Sequence, residues 1–175
     1  MLEGKTVNLK VVEKEDLPLL LEWWNDPDFA GIYNSLIPQE SKIDIEKNYE
    51  KLGSEKAWFL ITKKDGTRIG FLGMGLVGPY WEIGYILIPS ERGKGYCSEA
   101  AQLAVDYLFL SKVHGRIQAI VDARNKPSQR VLEKTGFQRE GTMRKCVYNR
   151  GELRDYCLYS ILREEWKEPK ILTKT

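Results

Sequence analysis

Between Ile83 and Ala101 the chain reads IGYILIPSERGKGYCSEAA: an apolar run ends at Pro89, a loop carrying Gly93 and Gly95 follows, and a helix begins. Successive backbone N–H groups of a glycine loop at a helix N-terminus form a concave anion site, aided by the partial positive charge of the helix end. Arg92 and Lys94 add formal charge, and glycine lets the backbone approach a phosphate closely. A diphosphate fits this pattern; the plainer alternative is a strand-to-helix loop with a glycine turn. Gly73, Gly75 and Gly78 also match GxGxxG, but Pro79, Tyr80 and Trp81 then lead into another strand. The dinucleotide fingerprint needs a helix there, so these glycines are read as relief for a kinked or closely packed strand. A P-loop is excluded because Gly95, not Ser or Thr, follows Lys94.

Other chemistries find little material. A single histidine, His114, leaves no basis for a His-rich metal site or a Ser/His/Asp triad, and is read as structural. Cys97, Cys146 and Cys157 form no CxxC pair and are read as buried fillers in a reducing compartment, with Cys146 and Cys157 near each other across a hairpin. The net charge of +2 hides an asymmetry: residues 1–55 hold 6 bases against 12 acids, residues 91–155 hold 13 bases against 8 acids. One half suits a cationic ligand and the other an anionic one. DNA is not expected as a partner, because a nucleic-acid binder is usually more strongly basic overall.

The elements that must position these residues follow from periodicity. Thr6 to Val12 reads as a strand; Leu17, Leu20, Leu21 and Trp24 then share one helical face, with Asp16 as N-cap. Trp23 and Trp24 adjoin, so only one is expected in the core, and Trp24 is favoured. Ser41 to Leu52 reads as a polar helix. Strands follow at Ala57 to Thr62, Thr67 to Val77 and Trp81 to Ile88, joined by turns short enough for an antiparallel meander. Next come a helix from Tyr96 to Leu110, a strand from Arg116 to Asp122, a helix from Pro127 to Gly136 and a hairpin bent at Arg150 and Gly151. That order predicts an α/β (mixed α+β) fold, a twisted mixed sheet of about seven strands with helices on both faces. Residues 1–175 are read as one domain. No apolar run is long enough for a membrane span and no signal-peptide block is evident, so a cytoplasmic protein without membrane association is expected.

The glycine loop resembles a known family. Arg92, Gly95 and Cys97 fall on the [QR]xxGx[GA] signature of the GNAT superfamily of acetyl-CoA-dependent N-acetyltransferases, with Cys97 where Gly or Ala is usual. IGYxLxPxxRGKGYxxEA, the NxxSxxxxxxxGF stretch (Asn125, Ser128, Leu132, Gly136, Phe137) and the ending GELRDYCLYSILREEW are similar to the ribosomal-protein N-terminal acetyltransferase (Rim-type) branch. The resemblance implies a GNAT fold in which a bulge splays the strand Trp81–Ile88 from the strand Ile117–Val121, with the pantetheine arm of acetyl-CoA in the gap. It implies main-chain pairing with that arm at Ile86, Leu87 and Ile88, and a diphosphate held by Arg92, Gly93, Lys94, Gly95, Tyr96, Cys97 and Ser98. Asn125 and Ser128 would lie along the arm.

The implied reaction is direct attack of a neutral amine on the thioester, without a covalent enzyme intermediate or a metal. Glu82 is the candidate base, with a strand-edge carboxylate paired to a neighbouring cation as the alternative. Ser128, or a tyrosine such as Tyr148 or Tyr156, would return a proton to the thiolate. The acceptor is expected to be a protein N-terminus, a polyamine or another small amine such as an aminoglycoside, met by acids of the first 55 residues with Trp23, Trp24, Tyr33 and Tyr49. A homodimer is compatible with the resemblance, and an acyl-CoA sensor without turnover is the alternative function. Gly95→Glu should abolish CoA binding measured by calorimetry while circular dichroism stays that of the parent chain; unaltered affinity would remove the loop from the site.

Overall fold

Alternating side chains decide which layer each strand supports. In β3 (Lys56–Lys63), Phe59 and Ile61 point into one apolar cluster and Trp58 and Leu60 into another on the opposite face. The computed structural model describes residues 1–34 and 39–171. Its sheet also contains β1 (Leu2–Glu3), β2 (Val7–Val11), β4 (Arg68–Val77), β5 (Tyr80–Leu87), β6 (Arg116–Asp122), β7 (Gln138–Asn149) and β8 (Glu152–Leu162). The spatial order is β1-β2-β3-β4-β5-β6-β8-β7, with β5 and β6 parallel and the other neighbours antiparallel. Eight strands replace the expected seven or so because Leu2 and Glu3 pair with Leu9 and Asn8.

Helices cover both faces, as expected. On one side α1 (Leu17–Asn25), α2 (Pro27–Ala30) and α3 (Lys42–Glu50) bury Leu17, Leu20, Trp23, Phe29 and Ile45. On the other, α4 (Tyr96–Ser111) presents Ala100, Ala101 and Ala104, small enough for close packing on the sheet, and α5 (Lys126–Lys134) adds Leu132. None of the helices described is long and apolar enough to cross a membrane.

Three expectations need correction. Asp16 occupies the N-cap position of α1 but its side chain makes no capping bond there; buried at the end of a 3₁₀ turn, it accepts from the Glu13 N–H and pairs with Lys10 and Arg68, tying β2 and β4 to the helix start. Both tryptophans pack: Trp23 is buried and stacks on Phe29, while half-buried Trp24 meets Trp58 and Phe71 edge-on. Two adjacent large rings fit because α2 folds back under α1 and supplies a second surface. Cys146 and Cys157 do not face each other. A register shift between Met143 and Val147 leaves Cys146 exposed, while buried Cys157 sits opposite Thr142. His114 is structural, accepting from the Trp81 indole N–H at 3.2 Å.

Gly136 shows how one residue ends a helix. The Phe137 N–H donates to the Leu132 carbonyl at 3.0 Å and the Gly136 N–H to that of Glu133 at 3.1 Å, the double closure of a left-handed helix end. Gly136 has φ +90°, and a Cβ there would lie 3.2 Å from the Ile161 side chain. Gly136→Ala should lower the unfolding free energy by about 1–2 kcal/mol in urea titration, the usual penalty for a left-handed non-glycine residue.

Candidate active site where the sheet divides

β5 and β6 pair at Trp81↔Ile117 and Glu82↔Gln118 and then separate. β6 stays bonded to β8 along its whole length, and β5 stays with β4 from Tyr80 to Leu87 without a register shift. The expected bulge is therefore absent from the β4–β5 ladder. Divergence of two halves of a twisted sheet, each loyal to its own neighbour, opens the gap. The result is a cleft of about 740 Å³, lined by both rims of the gap, by the loop before α4, by the first turns of α5 and by residues 30–34.

The α4 end of the cleft has the anatomy of an anion site. Gly93 (φ +79°) and Gly95 (φ +89°) take left-handed conformations, which turn successive N–H groups to one side. Among the described residues the N–H groups of Gly93, Lys94, Gly95, Tyr96 and Cys97 have no acceptor. Gly93, Gly95, Cys97 and Ser98 line the cleft, with Arg130 and Lys134 one turn apart on α5 facing them. Those two cations lay in the basic half of the sequence, but nothing in their local pattern singled them out. Lys94 instead pairs with Glu91 at 3.0 Å, which Lys63 also approaches, and Tyr96 packs against the core. Arg92 lines the cleft, but main-chain carbonyls hold its guanidinium: Nε donates to that of Leu87 and Nη2 to those of Asp28 and Phe29. Burial pushes the Cys97 thiol up to about 12, with nearby Arg92 opposing, so it stays protonated at neutral pH.

Along the gap the main chain of β5 alternates. The Ile88 N–H donates to the Ile69 carbonyl on the β4 side, so Ile86 faces the same way and the Leu87 N–H turns toward the cleft. Ile86 and Leu87 line the cleft, whereas Ile88 does not. At the opposite rim, Asn125 caps α5 by accepting from the Ser128 N–H, so the capping alternative is realised while the residue also lines the cleft. Ser128 Oγ lies 3.2 Å from the Tyr85 hydroxyl, and burial raises the Tyr85 phenol well above its ordinary range.

Glu82 stands at the vertex of the gap and accepts from the Gln118 amide at 3.0 Å; it shares a strand face with Ile86 but does not line the cleft. Tyr148 is 70% exposed near the hairpin tip and also lies outside the cleft, whereas half-buried Tyr156 lines it. Burial raises the Tyr156 phenol, against a lowering hydrogen bond with Asn149. The acids of residues 1–55 do not form the wall. Among the described lining residues Asp122 is the one carboxylate, and residues 35–38 have no ionisable side chain. Burial opposes its charge, but the backbone of Arg124 and the guanidinium groups of Arg124 and Arg154 hold it below its usual range. Of the aromatic residues assigned to an acceptor pocket, Trp23, Trp24 and Tyr49 pack in the core and Tyr33 reaches the cleft.

Comparison with known proteins agrees with this geometry. The family described as acetyltransferase (GNAT) domain matches residues 6–138. The uncharacterised N-acetyltransferase p20 of Bacillus licheniformis is 30% identical over 168 residues, covering 91% of this chain and 94% of p20. The spermidine N-acetyltransferase of Vibrio cholerae, solved with CoA and spermine, superposes with a TM-score of 0.81 at 22% identity, covering 91% of this chain and 97% of that one. The ribosomal L7/L12 α-N-protein acetyltransferase RimL, solved with coenzyme A, gives 0.78 at 20% identity over 91% and 95%. The last two speak for the fold. A divided sheet, a glycine loop with unpaired N–H groups and a family match spanning most of the chain lead to one conclusion: this chain belongs to the GNAT family of acetyltransferases.

Proposed function

We propose that the cleft binds acetyl-CoA and transfers its acetyl group to a primary amine carrying a single charge, of the kind presented by a protein N-terminus. The observation that carries this reading is the run of five unpaired N–H groups from Gly93 to Cys97 at one end of a gap whose β5 edge is free. A diphosphate completes the first, and the amides of an extended pantetheine arm complete the second in the manner of an added strand. Arg130 and Lys134 provide the countercharge for the phosphate end.

Chemistry falls at the vertex. The amine nitrogen attacks the acetyl carbonyl carbon, the carbonyl electrons move to oxygen, and a β5 main-chain N–H meets the oxyanion. The tetrahedral intermediate gives up the second proton of its nitrogen to water and collapses by breaking the C–S bond, leaving an amide and a thiolate. The amine must first lose a proton. Glu82 suits that task through a bridging water, because one neutral amide contacts its carboxylate while two arginines keep Asp122 ionised. Ser128 or Tyr156 returns a proton to the thiolate; exposed Tyr148 is the less favoured donor.

The acceptor class follows from the wall. Asp122 is already neutralised by Arg124 and Arg154, so the mouth offers no spare carboxylate among the described residues for the second and third charges of a polyamine. That supports a monoamine flanked by neutral groups.

The test is thiol release from acetyl-CoA across a panel of peptides with free N-termini, monoamines and polyamines. Peptides should react and spermidine should not; the reverse order would overturn the acceptor reading, and no release with any amine would overturn the site. Ser128→Ala should lower kcat roughly 100-fold, the scale of one acid–base group, while CoA affinity by calorimetry holds. Tyr156→Phe having the larger effect would reassign the proton donor.

A further inference from the structure

Six consecutive main-chain carbonyls, from Asp28 to Tyr33, accept hydrogen bonds from side chains. Arg92 Nη2 reaches those of Asp28 and Phe29 at 3.2 and 2.7 Å, and Asn34 that of Ala30 at 2.8 Å. Arg150 reaches Gly31 at 2.6 Å, Arg154 reaches Ile32 at 3.0 Å, and Asn149 reaches Tyr33 at 2.9 Å. Exposed carbonyls after a short helix are ordinarily left to water. Here three guanidinium groups fasten the segment from two directions: the hairpin β7–β8 and the turn that begins the anion loop. Residues 30–33 of the segment also line the cleft, and Asp28 and Phe29 lead into them.

Arg92 is the one fastener on the cofactor side. It immediately precedes Gly93, and its Nε anchors to Leu87, whose N–H faces the gap. Its fork thus spans the end of β5, the loop and the wall. We infer that Arg92 is a positioning residue that couples the anion loop to the acceptor-side segment 28–33, rather than a cation for the diphosphate. The inference rests on the reading of the cleft as a CoA site. Ordering of the loop around a diphosphate would then draw segment 28–33 into place before the amine arrives. A lysine keeps the charge but cannot span three carbonyls in a planar fork.

The experiment is hydrogen exchange by mass spectrometry on the full chain, with and without CoA, alongside calorimetry. Without CoA, Arg92→Lys should speed exchange at 28–34 by about tenfold, the loss expected for one charge-assisted contact. CoA affinity should stay within about twofold of wild type. In wild type CoA should slow exchange both at 93–98 and at 28–34; in Arg92→Lys it should protect only 93–98. Gly31→Ala serves as a second variant with Arg92 intact: Gly31 has φ +65°, and a Cβ there would stand 3.2 Å from Arg92 Nη1, so the guanidinium must shift and the same uncoupling should appear.

Arg92→Lys weakening CoA roughly tenfold or more would make Arg92 a phosphate ligand and overturn the proposal. So would a CoA response at 28–34 that survives in both variants. Failure of wild type to bind CoA would instead defeat the reading of the cleft, and exchange at 28–34 in the CoA-free variants would still decide whether Arg92 holds the segment.

Discussion

The structure depends on a strand that keeps its partner on one edge only. After Glu82, β5 continues against β4 but loses β6, so the Leu87 N–H turns into an open gap inside the sheet. Main-chain groups at such an edge demand partners, and an edge inside a sheet is tolerable only where something else completes it. Arg92 satisfies one such group, the Leu87 carbonyl, and water or ligand must satisfy the rest. On its other edge β6 is held by a fully formed ladder with β8, reinforced by the Arg116–Glu140 pair and by the hydrogen bond between Ser160 and Glu140, so it follows β8 where the twisted sheet divides. Those contacts hold the Glu140 carboxyl down at about 2, with Arg116 the main cause. The hairpin farthest along the sheet thus helps to keep the cleft open.

Charges in this protein largely serve its own main chain. Arg163 donates to the carbonyls of Phe109, Lys112 and His114, closing the C-terminal end of α4. Glu99 accepts from the Lys5 and Thr6 N–H groups and so fixes the other end of that helix, one turn from the anion loop. Asp26 and Asp44 cap α2 and form the capping box of α3. Of the acids in residues 1–55, Asp16, Asp26 and Asp44 hold a strand junction and two helix starts, and none of the surplus is among the described residues that line the cleft.

This explains what the sequence makes legible and what it hides. Period-2 and period-3.6 patterns mark β4, β5, α4, β6 and α5 to within a few residues, and β3, buried on both faces, stands out as a continuous apolar run. The glycine loop was legible because φ > 0 and close approach are properties of single residues, as at Gly93 and Gly95. Arg92 reaches carbonyls and Lys94 a carboxylate, contacts the sequence does not show, since a loop cation has no periodicity to say whether phosphate, carbonyl or carboxylate receives it. Arg130, Lys134 and Tyr85 reach the cleft only through tertiary packing. The shift in β7 that parts Cys146 from Cys157 is equally invisible in the chain, because two extra residues in a polar strand disturb no hydrophobic pattern.

The same logic bears on why the wall is fastened by side chains at all. A segment running past a substrate must be held, yet pairing it into the sheet would close the gap that the substrate needs. Guanidinium groups solve this because each reaches several carbonyls from a distance and leaves the segment outside the ladder. Arg154 also belongs to a closed ring of Asp122, Arg124 and Glu152, so it is itself prevented from wandering. Among the described residues Arg92 has no carboxylate partner; the carbonyls of Leu87, Asp28 and Phe29 hold its guanidinium. Of the three guanidinium fasteners it is the one that stands next to the anion loop, whereas Arg154 ties the opposite end of the wall to β8.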